Sequence, residues 1–169
     1  MALGVLVLLA GIYALSTAFN ARDDADVART EGPGTAEPDR GASHGTPAGA
    51  RGSADPPTSG PHEPAAIARD AQELDDDQIL HALELGDVVL VYPGRRPPAE
   101  LLTLQSEVAG PYDAELAAAG QAVILAREPR AAGIQALAWG RRLRADAASD
   151  PALLAFTEYW LGRGVQAGG

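Results

Sequence analysis

The spacing of hydrophobic and polar residues divides the chain into three regions. Residues 2–19 carry no charged side chain, and residues 20–54 contain one aliphatic residue larger than alanine, Val27. Residues 55–169 alternate apolar stretches with glycine and proline punctuation. The pattern predicts a hydrophobic helix over 2–19, a disordered tether over 20–54, a globular domain over 55–165 and a short tail over 166–169.

Within the globular region, the apolar positions predict four helices and three strands. Helical stripes end at glycines or begin with Asp and Pro, and the strands are short runs rich in Val, Ile and Leu. The order is α-β-α-β-β-α, with an additional short helix before the second strand. The predicted helices cover 74–85, 97–110, 111–119 and 150–162, and the predicted strands cover 87–92, 121–127 and 134–139.

These elements predict an α/β (α+β) fold with a small three-stranded mixed sheet and helices packed on it. The first two strands are joined through helices, so we expect them to be parallel with a right-handed crossover. The short turn at 128–133 predicts that the second and third strands are antiparallel. The element order is similar to the C-terminal half of a thioredoxin-like fold, by analogy only and without its redox chemistry, because the chain has no Cys.

The apolar segment 2–19 has the length of a transmembrane helix. As a helix it spans about 27 Å, close to the hydrocarbon thickness of a bilayer. A cleavable signal peptide is the alternative, since Ser16, Thr17 and Ala18 are small residues of cleavage-site type. The length favours an uncleaved anchor. The predicted location is therefore the cell membrane, with a single pass through the lipid bilayer and an extracytoplasmic C-terminal domain.

Composition and charge exclude several classes of function. The formal net charge is -10, and all 13 basic residues are Arg. Such an acidic protein lacks the electrostatic surface that nucleic acids require, so no nucleic-acid partner is expected. The absence of Cys excludes disulfides, thiolate metal sites and a cysteine nucleophile. His44 lies isolated in the predicted tether, and the sequence assigns it no function.

Several phrases of the domain resemble one bacterial family, the domain of unknown function 3105. They are PPTSGPH at 56–62, ILHALELG at 79–86, VVLVY at 88–92, AWGR at 138–141 and the closing aromatic helix that ends in GRG at 162–164. The resemblance covers about residues 55–165, and it implies a membrane-anchored N-terminus, a low-complexity tether and one extracytoplasmic domain. The family pattern reads H-x-L-E-H-G, with a second histidine four residues after the first. Leu85 stands at that position here.

The histidines of these motifs form a candidate metal site. His62 lies in the proline-rich loop, His81 lies on the first helix, and Glu84 is three residues further along that helix on a similar face. Two imidazoles and one carboxylate suit a borderline transition metal such as copper or zinc. Asp87 is a more distant option. The alternative is structural: His62 hydrogen-bonds the loop to the domain, and His81 lies on a polar helix face.

No arrangement of residues indicates catalysis, so the chain is not expected to be an enzyme. Ser59 and His62 lack the nucleophile elbow of a hydrolase, and the acidic run at 75–77 fits a helix start better than a calcium loop. The cluster Arg141, Arg142 and Arg144 is expected to be a solvated edge, and the aromatic residues of the last helix are expected in the core.

Two functions are compatible with these sequence features. The favoured one is a non-enzymatic interaction module, presented on the membrane to a protein partner. The alternative is an extracytoplasmic metal-binding domain that uses His62 and His81.

Overall fold

The computed structural model describes residues 32–49 and 55–165. Over these residues the chain forms an α+β domain with five strands and four helices. The strands are β1 (Thr35–Ala36), β2 (Val88–Tyr92), β3 (Val123–Arg127), β4 (Ile134–Ala138) and β5 (Arg141–Ala145). The helices are α1 (Asp76–Leu85), α2 (Ala99–Val108), α3 (Ala114–Ala118) and α4 (Pro151–Trp160).

One mixed sheet with the strand order β1-β5-β4-β2-β3 forms the centre of the domain. Every residue of β2 and of β4 is buried, because helices cover both faces of the sheet. Alternate residues of β2 enter separate cores: Val89 and Val91 pack with α1 and α3, whereas Leu90 and Tyr92 pack with α2 and α4.

The sequence signals for helix ends are confirmed at the two best-defined helices. The side chain of Asp75 accepts a hydrogen bond from the Gln78 N–H, and the Gln78 side chain in turn accepts one from the Asp75 N–H. Gly86 ends α1 with φ of 117°. Asp150 caps α4, whose first residue is Pro151. The acidic run at 75–77 is therefore a helix start.

The strand directions agree with the prediction, and the structure adds which strands are neighbours. β2 and β3 are parallel, as predicted, with Val88 opposite Val123. However, β4 pairs antiparallel with β2 and not with β3. The Glu128 N–H donates to the Tyr92 carbonyl at 2.9 Å, so the turn carries the chain across the end of β2. β3 and β4 therefore run antiparallel, as predicted, but they are not hydrogen-bonded neighbours, because turn length fixes direction and does not fix the neighbour.

The sheet also has five strands where the sequence predicts three. β5 (RRLRA) contains three arginines and gives no apolar run, and β1 is only two residues long. The expected solvated arginine edge holds for Arg144, whose side chain is 59% exposed, and is wrong for Arg142. Arg142 is buried, Arg144 pairs with Asp55 at 2.9 Å, and the Arg141 guanidinium lies 5.2 Å from the centre of the Trp160 ring.

Residues 33–49 form a segment, called here the N-terminal strap, that packs on the domain. β1 pairs antiparallel with β5, and the Trp160 Nε1–H donates to the Pro33 carbonyl at 2.9 Å. The tether predicted over 20–54 therefore does not extend through the strap. Composition could not show this, because the strap is held by backbone and polar contacts more than by large apolar side chains.

A buried guanidinium fixes the strap to the sheet. Arg142 donates to the Glu37 carboxylate, the Gln135 side chain and the Pro56 carbonyl. The Thr58 hydroxyl donates to the same carboxylate at 2.8 Å. The Arg142 hydrogen bonds are the main cause of the lowered pKa of Glu37, so the carboxylate is ionised at neutral pH.

The predicted transmembrane helix at 2–19 lies outside the described residues. Within 32–49 and 55–165, no helix has the length and apolar character needed to cross a bilayer.

Candidate metal centre

All three histidines of the chain meet at one place, together with Glu84. One ligand atom from each of His44, His62, His81 and Glu84 lies within 4.8 Å of the other three. This group is called here the histidine cluster. The sequence-predicted residues His62, His81 and Glu84 are thus brought together, and His44 joins them from the strap.

Helix α1 supplies two members of the histidine cluster from neighbouring turns. His81 and Glu84 are three residues apart, and His81 Nδ1 lies 3.8 Å from Glu84 Oε2. His81 Nδ1 is buried without a hydrogen-bond partner among the described residues. A buried nitrogen in this state is costly for a folded protein unless another ligand uses it.

His62 is the most deeply buried of the imidazoles. Its side chain is 0% exposed, and its Nδ1 lies 3.0 Å from the Gly60 carbonyl. Because a carbonyl only accepts, this contact assigns the proton to Nδ1 and turns Nε2 toward Glu84 Oε2 at 3.1 Å. Metal-binding histidines are commonly oriented in this way by a carbonyl on the second nitrogen.

His44 enters the cluster through a short backbone bridge with His62. The His62 N–H donates to the Ser43 carbonyl at 3.1 Å, and the His44 Nε2 lies 2.8 Å from Glu84 Oε2. The two rings are edge to face, with centroids 5.0 Å apart. Leu85 stands where the resembled family has a second helical histidine, and here the third imidazole comes from the strap.

Asp77 holds both loops of the site against α1. Its Oδ1 accepts the N–H of Ala48, in the strap, and the N–H of Glu63, next to His62, each at 2.8 Å. These two backbone hydrogen bonds are the main reason that the pKa of Asp77 is lowered. The sequence pattern marks Asp77 only as part of a helix start and carries no signal for this positioning role.

The electrostatics of the site keep an imidazole nitrogen available. Burial lowers the pKa of His81, and the proximity of His62 lowers it further, while Glu84 opposes the shift. His81 is therefore neutral at physiological pH, the form in which imidazole binds metals. Glu84 Oε2 lies within 3.8 Å of one nitrogen from each of the three imidazoles. Lone pairs on neighbouring oxygen and nitrogen atoms repel each other, and a cation bound between these atoms would remove that repulsion.

A bound metal requires the ligand atoms to move closer together. Ligand atoms at about 2.1 Å from one ion lie about 3.4 Å apart in a tetrahedral set and at most about 4.2 Å apart in any geometry. The upper limit of 4.8 Å in the cluster exceeds these separations by about 0.6 to 1.4 Å, so the side chains must converge on the ion when it binds.

The structure places the other residues considered from the sequence outside the histidine cluster. The Ser59 hydroxyl donates to the Pro38 carbonyl at 3.0 Å and accepts from the Arg40 N–H at 3.1 Å, so it anchors the strap. Asp87 is not part of the histidine cluster. Its Oδ1 accepts the Ala122 N–H at 2.8 Å.

Fold and site together define a small α+β domain with a His₃Glu cluster closed by its own N-terminal strap. Residues 51–166 match the family described as Protein of unknown function (DUF3105), and the chain belongs to that family. This confirms the resemblance seen in the sequence motifs. The match excludes residue 44. No curated protein and no solved structure is significantly similar to the chain, so the thioredoxin-like analogy stays one of element order.

Proposed function

We propose that this protein binds one borderline transition-metal ion, zinc or divalent copper, through His44, His62, His81 and Glu84. The observation that carries the proposal is the convergence of every histidine in the chain on one carboxylate, from three separate segments. This gathering leaves His81 Nδ1 buried without a hydrogen-bond partner among the described residues, and a bound cation would use that nitrogen.

The donor set supports this class of metal over others. Imidazole nitrogen with one carboxylate oxygen suits zinc, copper and nickel, whereas calcium and magnesium prefer all-oxygen sites. Monovalent copper favours thiolate and thioether sulfur. The chain has no Cys, and its one Met is Met1.

The ligands differ in how strongly the fold holds them, which favours a role in carrying metal. His62 is fully buried, and the side chains of His81 and Glu84 are 22% and 18% exposed. The His44 side chain is 45% exposed and stands on the strap. We therefore assign His44 as the ligand that a metal donor or acceptor displaces, while the other three remain in place.

Zinc titration of the untagged full-length protein by calorimetry, after removal of chelator, tests the proposal. We expect one zinc ion per chain. His81→Ala should weaken binding by at least about 100-fold, since loss of even a supporting group in metal sites costs about 10- to 100-fold. Glu84→Gln should weaken binding in the same direction, and cobalt substitution should report the coordination number through its visible spectrum.

The matched control is Glu107→Gln, an exposed carboxylate on α2, which packs on the opposite face of the sheet. It should bind zinc like the unaltered protein. The proposal is abandoned if zinc binds below stoichiometry, or if His62→Ala and His81→Ala, both shown to be folded by circular dichroism, bind as well as the parent.

We further propose an extracytoplasmic setting, with segment 2–19 as a membrane anchor. The apolar length of that segment supports it. The protein should sediment with membranes, and its domain should be cut by protease added to the outside of intact cells. Recovery of the full-length chain in the soluble cytosol would contradict this. The interaction-module function remains a prediction, and a metal donor or acceptor would be its partner.

A further inference from the structure

A pocket lies beside the histidine cluster, between α1, α3 and the loop at 65–67. Its volume is about 170 Å³. Alanines, Ile67 and Leu85 make most of its wall, and only His81 and Asp87 contribute ionisable groups. The pocket exists because alanines fill little of the space between the two helices.

Asp87, one of the residues that line this pocket, has a carboxyl oxygen that no described residue satisfies. The residue is 1% exposed, and its Oδ1 accepts the Ala122 N–H at 2.8 Å. Its Oδ2 is buried and has no hydrogen-bond partner among the described residues. A buried carboxyl oxygen is costly when unpaired, and a small rotation of the Asp87 carboxyl group toward the pocket would let a ligand satisfy it.

We propose that this pocket binds a small uncharged molecule with an apolar body and one hydroxyl group, of the size of phenol, hydrogen-bonded to Asp87 Oδ2. A hydroxyl both donates and accepts, so it pairs with either form of the carboxyl group. A protein cavity of about 150 Å³ lined by apolar side chains accommodates a benzene-sized molecule. The pocket shares His81 with the proposed metal site, but the inference requires no bound metal.

The surroundings argue against a charged ligand. Burial raises the pKa of Asp87 to about 7, so the group is not a strong counter-ion for an amine at neutral pH. The lining contains no Lys or Arg to pair with an anion. Alanine walls favour an apolar body, because they offer no side-chain hydrogen bonds.

The test is a phenol titration of full-length protein carrying labelled alanine methyl groups, followed by methyl NMR. We expect saturable shifts at Ala82, Ala114, Ala117 and Ala118. Toluene, which lacks the hydroxyl, should bind at least 10-fold more weakly. Equal affinity for phenol and toluene, shifts confined to other alanines, or tighter binding of benzylammonium than of phenol would each overturn the proposal.

Two sets of variants locate the ligand. Ala118→Leu narrows the mouth at an exposed position and should abolish the shifts, whereas Ala155→Leu, also exposed but on α4, should leave them unchanged. Asp87→Ala should bring the ratio of the affinities for phenol and for toluene close to one. Asp87→Asn keeps an acceptor for Ala122 and should retain phenol binding within 3-fold. An unchanged ratio in a folded Asp87→Ala protein, or full binding by Ala118→Leu, would contradict the assignment.

Discussion

Arg142 shows how one side chain sets the stability of a distant segment. It is 3% exposed, and its guanidinium joins β5 to Glu37 in the strap and to the Pro56 carbonyl. A buried charge of this kind is tolerated only when all its hydrogen-bond partners are present. Loss of Arg142 or of the Glu37 carboxylate should therefore destabilise the protein.

Arg142→Met should lower the free energy of unfolding by about 3 kcal/mol, because it leaves the partly buried Glu37 carboxylate without its cation. Urea denaturation measures this, with the exposed Arg95→Met as a control that should change little. The folded pKa of Glu37 is lowered, so its contribution is present above the unfolded pKa and disappears as the pH falls through the folded value. If the parent protein and Arg142→Met differ in unfolding free energy by the same amount at pH 7 and at pH 2, the role given to the Glu37 carboxylate is refuted.

Asp87 should have the opposite pH dependence. Its folded pKa is about 7 against an ordinary 3.8, so its contribution is fully present below 3.8 and is lost as the pH rises through 7. At about 1.4 kcal/mol per unit, this amounts to about 4 kcal/mol between acid and neutral pH. Relative to Asp87→Asn, the metal-free protein should lose stability from pH 4 to pH 8 in urea denaturation. Asp146→Asn, at an exposed position, should not alter how the free energy of unfolding changes with pH.

Among the elements, helix α1 determines the geometry of the candidate metal site. It carries His81 and Glu84, and its N-terminal Asp77 holds the two loops that present His44 and His62. Its C-terminal end is fixed by close backbone approaches. The Gly162 N–H donates to the Gly86 carbonyl at 2.8 Å, and the Val165 N–H donates to the Glu84 carbonyl at 2.9 Å.

Gly120→Ala should therefore disturb both stability and the site. Gly120 has φ of +67°, and a methyl group there would overlap the Leu85 carbonyl. Gly110→Ala is the matched control, since Gly110 has φ of +80° with open space around it. We expect Gly110→Ala to cost about 1 kcal/mol and Gly120→Ala at least about 2 kcal/mol more. Equal losses in thermal denaturation would show that the close approach is unimportant.

Across the whole molecule, the strap and the domain complete one site together. His44 is the strap's contribution to the cluster, and β1 and Glu37 are its other attachments. A ligand that binds only when the strap is packed on the domain shifts the equilibrium toward the packed strap. The proposed metal should therefore hold the strap in place as well as occupy the cluster.

Zinc should slow hydrogen exchange in and beside the strap. At free zinc about 100 times its dissociation constant, exchange of the Glu37 and His62 amides should slow by up to about 100-fold. The Ala71 amide, which bonds to the Leu125 carbonyl, should be unaffected. His44→Ala should remove the effect on the strap while zinc still binds at reduced affinity. Protection that persists in His44→Ala would disprove the coupling.

The sequence predicted the elements well where periodicity and capping agree. The prediction of α1, β2, β3, β4 and α4 holds within a few residues, because their apolar runs are bounded by Asp, Pro or Gly. β1 and β5 were missed, since one is very short and the other places an arginine in a buried position. The pairing of β4 with β2 also has no local signal, because neighbours in a sheet are chosen by the packing of both faces.

By itself, the sequence determined the family, the α+β class and three members of the cluster, because these depend on local motifs and on spacing along one helix. Only the tertiary structure brought in His44, the buried Arg142 and the unpaired Asp87 oxygen. His44 is 18 residues from His62 in a segment rich in glycine and proline, and scarcity of histidine was its only signal. Its place depends on backbone pairing between segments far apart in the chain, which residue patterns do not encode.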